Sequence, residues 1–302
     1  MTGPELEELV ALYQQTSGHL SHAQTVLPDP AVLRELSVLV AGSSGVIYGT
    51  RSGRRPQIGP FFTITFPAAV WHVRRLFILA AALTLGPAVA VGLWFANSPA
   101  ALAASAPAAV RQAYVNHDFA AYYSSEPATA FATQVYTNNV RVSAEAFAFG
   151  IAFGLPTTYL LVENGASLGS AAGLFAAAGQ QGKFFGLILP HGLIETTSVI
   201  LAGAAGLRLG ATVISPGDRK RTAALAEEGR RTIVLLFGVA LTLAVAGFIE
   251  GFVTGSGLST VIRVGLGVTV EVVFFAWVVL LGRRAAADGY TGRLGETVAG
   301  PP

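Results

Sequence analysis

Residues 184–206 read FFGLILPHGLIETTSVILAGAAG, and this stretch decides the fold class. It is long enough to cross a bilayer, which takes about 20 helical residues. Its two ionisable side chains, His191 and Glu195, share one helix face at i,i+4 spacing. Such groups cost about 3 kcal/mol each at that depth, so they rarely persist without a partner or a task. Because Pro190 and Gly192 also weaken the helix there, we predict a polar intramembrane site beside a helix break.

The composition indicates a polytopic membrane protein. The chain is 52% hydrophobic and 12% charged, whereas soluble globular proteins are about 25% charged. With no cysteine, disulfides, thiolate metal sites and thiol nucleophiles are excluded. The first 30 residues are polar and acidic without an apolar core after a basic start, so we expect insertion through the first span and no cleavable signal peptide.

The hydropathy pattern predicts an all-α fold, a transmembrane helical bundle of about six spans. The predicted spans are residues 77–96, 142–162, 166–180, 184–206, 232–249 and 264–282. The third is short and rich in Ala and Gly, so the third and fourth segments are alternatively broken or half-helices. Asn138 and Asn139 are interpreted as caps of the second span, or alternatively as lining an outer vestibule, and Asn164-Gly165 is interpreted as the stop of that span.

The regions outside the spans divide the chain further. Residues 1–75 are predicted to be a cytoplasmic or peripheral helical hairpin, turning at Pro28-Asp29-Pro30, followed by a basic membrane-surface elbow that begins at Arg51–Arg55. Residues 97–141 are predicted to form amphipathic helices on the outer surface. Residues 76–285 are predicted to form the transmembrane domain, and residues 286–302 are predicted to be a cytoplasmic tail.

The charge distribution favours six crossings with both ends in the cytoplasm. In that topology 15 of the 19 Lys and Arg residues lie on the cytoplasmic side, as the positive-inside rule requires. If the third segment were re-entrant, the loop from Arg208 to Arg231 would lie outside with its six basic residues, and the bias would fail.

Several short motifs in order resemble the stage II sporulation protein M family. They are Asn138-Asn139-Val140-Arg141-Val142, Phe147, Phe149-Gly150, Gly154, Asn164-Gly165, Leu168-Gly169, Leu189-Pro190-His191-Gly192 with Glu195, and Gly206-Leu207-Arg208-Leu209-Gly210. The resemblance implies a bacterial integral protein of the cytoplasmic membrane that works in a cell-envelope complex. It also implies polar motif residues at Asn138, Asn139, Asn164, Gly165 and Gly192. Relatives outside sporulation are often encoded near an AAA+ ATPase, so such a system is an expected partner by analogy. The resemblance implies no reaction and no cofactor.

The candidate site comprises His191, Glu195 and Glu271, because counting along the spans places Glu271 at a similar depth. Glu145 is expected to pair with Arg141 at i,i+4, and Glu250 to reach water at the outer end of its span.

Three functions remain open for this site. The first is a non-enzymatic scaffold that contacts lipid and other envelope proteins, or a second copy of the chain. The second is a permease for a small solute or ion. The third, an intramembrane metal hydrolase, ranks last because metal catalysis usually needs three protein ligands and the spans offer one histidine. We therefore predict no catalytic residue and no metal ligand. The chain shows no phosphate loop and no basic surface with stacking aromatics for nucleic acid.

Overall fold

The computed structural model describes residues 3–26, 30–47, 58–123 and 127–296. Every regular element in those ranges is helical, so the all-α prediction is confirmed. The chain divides into two compact units, Met1–Gln57 and Ile58–Pro302.

The first unit consists of helices α1 (Gly3–Val26) and α2 (Pro30–Ile47), which pack against each other. Pro28 and Asp29 of the predicted turn, and the basic loop Arg51–Arg55, lie outside the described residues.

The second unit is a bundle of six long helices. They are α3 (Phe66–Asn97, preceded by helical turns from Ile58), α4 (Ala128–Ala148), α5 (Leu155–Ala177), α6 (Gln181–Ile214), α7 (Arg221–Ile249, continued by a π-helical turn Glu250–Thr254) and α8 (Thr260–Ala287). Among the described residues, four helices are long and apolar enough to cross a membrane: Ile58–Asn97, Gln181–Ile214, Arg221–Thr254 and Thr260–Ala287. The structure therefore supports a membrane protein with four candidate spans.

Helix α6 forms the centre of the bundle. Every residue from Thr197 to Leu207 is buried, and this part of the helix joins the largest apolar core. By contrast, α3, α7 and α8 expose rows of large apolar side chains. These rows include Ile78, Leu85, Val89, Leu93, Phe237, Leu241, Phe248, Val261, Val272 and Leu280. Helices with outward apolar rows around a buried central helix are what a bilayer solvent favours, because lipid is as apolar as leucine.

Helices that follow one another in the chain run in alternating directions. The start of α6 lies beside the segment that connects α3 and α4, since Lys183 Nζ donates to the carbonyl of Val115 at 2.7 Å. Near its other end, Arg208 reaches Glu228 at the start of α7. Helix α7 then runs back, so that Ser198 and Thr242 hydroxyls meet at 2.7 Å midway.

The second and third predicted spans differ from the observed helices. The helix is interrupted at residues 149–154, where Phe153 and Gly154 have φ values of 58° and 74°. Helix α5 then continues without interruption through Asn164-Gly165. The predicted helix stop there is wrong. A Cβ on Gly165 would lie 1.9 Å from the Thr84 carbonyl oxygen of α3. This glycine therefore serves close helix approach rather than a positive φ.

Gly169 and Gly173 continue the same seam along α5. A Cβ on Gly169 would lie 2.3 Å from the Ala88 carbonyl oxygen, and one on Gly173 would lie 2.5 Å from Phe95 Cβ. Three glycines at four-residue spacing thus lay α5 directly on the α3 backbone.

Only the first part of the predicted external segment forms separate short helices. Short helices occupy Pro99–Ser105, Ala108–Ala113 and Phe119–Tyr122, and an aromatic cluster ties them to the bundle. Phe119 stacks on Phe184 with ring centroids 5.6 Å apart, and contacts Phe175 at 4.9 Å. Residues 128–141 instead belong to α4, which extends deep into the bundle.

Candidate polar site inside the helical bundle

Two helices bring three potential metal or proton ligands together, which we call the His191 cluster: His191 and Glu195 of α6, and Glu250 at the end of α7. One nitrogen or oxygen from each of the three lies within 4.8 Å of the others. His191 Nε2 is 3.7 Å from Glu250 Oε1, and both side chains are only 4% exposed. A carboxylate and an imidazole so deeply buried can only interact with each other, with neighbouring protein groups or with a bound ion.

The other nitrogen of His191 has a partner of its own. Nδ1 lies 3.1 Å from Thr254 Oγ1, and the Thr254 hydroxyl can donate to the Ile249 carbonyl at 3.4 Å. When the hydroxyl donates there, its oxygen accepts from Nδ1–H. This arrangement leaves the lone pair on Nε2, facing Glu250.

Glu195 is held from a third helix. The Asn139 side chain of α4 hydrogen-bonds to its carboxylate, while its Oε2 is sealed from solvent without a hydrogen-bond partner. The interpretation of Asn138 and Asn139 as helix caps is therefore wrong, because both lie in the middle of α4. Asn139 faces the cluster and Asn138 is exposed.

The acidic residue that meets His191 is Glu250, and the prediction that Glu250 reaches water is wrong. Helix α7 does not stop at residue 249 but continues as a π-helical turn through Thr254. The extra turn directs Glu250 inward and supplies the Thr254 hydroxyl. Glu271 lies elsewhere: its Oε1 accepts a hydrogen bond from Thr197 Oγ1 at 2.6 Å.

The segment that connects α3 and α4 covers the cluster. The Tyr123 ring lies 5.8 Å from the His191 ring, centroid to centroid. Burial, and then the charges of Glu250 and Glu195, raise the pKa of Tyr123, so its phenol keeps its proton. The cluster is thus enclosed by α4, α6, α7 and an aromatic cover.

The predicted helix break at Pro190 does not occur, since α6 is continuous from Gln181 to Ile214. Membrane helices tolerate an internal proline where neighbouring helices pack closely. Here Gly267 of α8 lies so near that a Cβ would be 2.5 Å from the Pro190 carbonyl oxygen. Gly192 is likewise inside the helix, where a Cβ would be 2.9 Å from Ile188 Cγ2.

A second group of buried charges, the Glu228 cluster, lies at the other end of α6 and comprises Glu228, Arg208, Arg231 and His72. Glu228 Oε1 accepts from Arg208 Nη2 at 2.9 Å and from Arg231 Nη1 at 2.7 Å. Its Oε2 lies 3.7 Å from His72 Nε2. The Glu228 side chain is only 1% exposed, so this carboxylate is buried with two guanidinium partners.

The remaining motif residues have structural roles. Arg141 and Glu145 form the expected i,i+4 salt bridge, with a 3.1 Å distance from Nε to Oε1. Asn164 is partly buried within α5, beside the close contact of Gly165.

Comparison with known proteins connects this geometry to a family. The family model described as stage II sporulation protein M matches residues 80–255, a range that contains the whole His191 cluster. A second model, described as a domain of unknown function, matches residues 1–49. An uncharacterised protein of Methanocaldococcus jannaschii is 31% identical over 122 residues, which cover 40% of this chain and 68% of that protein. No solved structure matches.

Proposed function

This chain belongs to the stage II sporulation protein M family, and from that premise we propose that it is a non-enzymatic membrane component that docks partner proteins in a cell-envelope complex. The proposal includes six crossings of the bacterial cytoplasmic membrane with both ends in the cytoplasm. The alternating directions of α3 to α8 support an even number of crossings. Helices α4 and α5 complete the six, although they are not among the four apolar candidates.

One observation carries the docking role: α4 turns a polar face outward. Its exposed residues are Thr129, Ala130, Thr133, Gln134, Thr137, Asn138, Arg141, Ala144 and Ala148. Six of the seven from Thr129 to Arg141 are polar, and all seven line a shallow groove of about 740 Å³. No large apolar side chain of α4 is exposed, in contrast to α3, α7 and α8.

This polar face lies at the depth of the spanning helices. A Cβ on Gly206 of α6 would lie 2.3 Å from the Ala146 carbonyl oxygen of α4. One on Gly251 of α7 would lie 2.7 Å from the Ala128 carbonyl oxygen. The two ends of α4 therefore contact α6 and α7 directly, which supports a position for α4 alongside the spanning helices.

A lipid environment fits such a face poorly. Thr133 and Thr137 donate their hydroxyls to carbonyls of their own helix at 2.8 Å, which reduces their demand for partners. Gln134 and Asn138 still present exposed amide groups, and Arg141 is exposed although it pairs with Glu145. Because unsatisfied polar groups in hydrocarbon cost several kcal/mol each, a polar helix of another membrane protein is the better neighbour. By analogy with the family, an AAA+ ATPase system is a candidate at the cytoplasmic side.

The absence of cysteine makes the docking face directly testable. A photo-crosslinker attached at Thr137→Cys should give discrete protein adducts in native membranes, whereas the same reagent at Val272→Cys on the apolar face of α8 should label lipid. If both positions give only lipid adducts, or the same adducts, α4 is not the docking face.

The His191 cluster favours a permease as the second candidate. Ionisable residues enclosed within spans commonly mark ion or solute pathways. A permease predicts flux in proteoliposomes that His191→Gln plus Glu195→Gln abolishes while the crosslinked assembly persists. If the double variant loses its partners and remains folded, the cluster belongs to assembly.

A further inference from the structure

We propose that His191, Glu195 and Glu250 bind one divalent first-row transition-metal ion, with zinc or manganese as the expected class. This inference is independent of the docking role of α4, because it concerns only the interior of the bundle.

The orientation of His191 prepares one nitrogen for a metal. Metal-binding histidines nearly always donate their second N–H to a fixed acceptor, which sets the tautomer and the ring direction. Thr254 Oγ1 provides that acceptor for Nδ1 at 3.1 Å. Nε2 then points its lone pair toward Glu250 Oε1, 3.7 Å away.

The spacing of the three side chains suits a shared ion. Two ligand atoms on a tetrahedral zinc ion at about 2.0–2.1 Å are separated by about 3.3 Å. The observed 3.7 Å and the 4.8 Å limit for the group require side-chain shifts of roughly an ångström. Rotamer adjustment alone can supply these, because the three residues lie on two helices that already touch.

The charges of the cluster require a cation or protons. In the described ranges, neither Glu195 nor Glu250 forms a salt bridge with an arginine or lysine. Glu195 Oε2 and Glu250 Oε2 are buried without a hydrogen-bond partner. The whole Glu250 side chain is only 4% exposed. Leaving such an oxygen unpaired costs about 1–3 kcal/mol, and a divalent ion between the two carboxylates removes that cost.

The donor set selects the class of metal. One imidazole nitrogen with two carboxylate oxygens suits zinc, manganese or ferrous iron. Calcium and magnesium prefer all-oxygen sites. Asn139 orients the Glu195 carboxylate and Tyr123 covers His191, so the ligands are held from two further segments.

Glu271 provides a matched control for the test. It is also an interior glutamate with an unpartnered Oε2, but it pairs with Thr197 and lies outside the cluster. The wild-type chain, His191→Gln, Glu250→Gln and Glu271→Gln should be purified in mild detergent with a tag that contains no histidine. Each is then stripped with a chelator, loaded with zinc or manganese, desalted and measured by elemental analysis.

We expect about one ion per chain for the wild type and for Glu271→Gln, and at least a tenfold loss for His191→Gln and Glu250→Gln. Metal should also raise the melting temperature of the stripped wild type, but not that of the two cluster variants. If a variant fails to fold, the metal-induced shift of the wild-type melting temperature still tests the proposal. Substoichiometric metal with no thermal shift in the wild type overturns the proposal. A proton shared by the two carboxylates would then be the explanation for their burial. An equal loss in Glu271→Gln also overturns it.

Discussion

The Glu228 cluster and the His191 cluster lie at opposite ends of the same two helices, yet they neutralise a buried glutamate in different ways. Glu228 is 1% exposed and accepts hydrogen bonds from Arg208 and Arg231. Glu250 is 4% exposed, and within the described residues its ion-pair contact is with His191 at 3.7 Å, with no arginine or lysine partner. The first glutamate is charge-compensated by its own fold, while the second lacks a permanent counter-ion.

This difference separates structure from function within one bundle. A buried carboxylate with two guanidinium partners is fully explained by the architecture it stabilises. A buried carboxylate without them lowers stability unless something binds, and such sites are retained where an ion, a proton or a substrate is handled. The Glu228 cluster thus has a structural explanation, whereas the His191 cluster is the place for the proposed metal binding.

The largest effect is expected from Glu228→Gln, which removes the compensated charge. Arg208 and Arg231 would then lack their shared counter-ion, at a cost of about 3 kcal/mol, the low end for breaking a buried pair, because Arg208 is 35% exposed. The apparent melting temperature in detergent should fall by about 6–12 °C. An unchanged melting temperature would show that the Glu228 cluster does not stabilise the bundle.

Thr254→Val tests whether Thr254 orients the His191 imidazole for metal binding. Valine keeps the shape of threonine but removes the acceptor for His191 Nδ1, so the imidazole loses its fixed tautomer. We expect metal affinity to fall about 10–100-fold, measured by competition with a chelating dye, with little change in the metal-free melting temperature. Thr269→Val serves as the control, since Thr269 is exposed and bonds only to the Gly265 carbonyl. Equal affinities for the two variants would contradict the role of Thr254.

The smallest effect is expected from Glu250→Gln in metal-free protein, the same substitution as at Glu228 but in the uncompensated cluster. Removing a buried carboxyl that lacks a cationic partner should leave the melting temperature unchanged or raise it by a few degrees, corresponding to about 1 kcal/mol. A drop as large as that of Glu228→Gln would mean that the two clusters are alike, and the comparison would fail.

Hydropathy predicted the apolar helices well because a helix that faces lipid must consist mainly of apolar residues. Helices α3, α6, α7 and α8 each contain a predicted span. Helices α4 and α5 were misplaced for two reasons. The polar outward face of α4 lowers its hydropathy, so hydropathy did not locate this helix. Asn164-Gly165 has the sequence of a helix stop, although Gly165 serves a close helix contact. The π-helical continuation at Glu250 also had no clear sequence signal.

The candidate site was predictable only in its α6 half. His191 and Glu195 share a face because i,i+4 spacing is a property of one helix, and their burial followed from the apolar run around them. Neither feature specifies which residue of another helix lies opposite, so the sequence did not show that Glu250 of α7 meets His191 while Glu271 of α8 meets Thr197.

The sequence by itself determined an all-helical membrane protein, its family, the central helix and two ionisable residues within it, because composition and local periodicity act along the chain. Only the tertiary structure decided that Glu250, Thr254 and Asn139 complete the His191 cluster, that Glu228 is compensated by two arginines, and that α4 turns a polar face outward. Those facts depend on the register between helices, which close glycine contacts set and which local sequence does not encode.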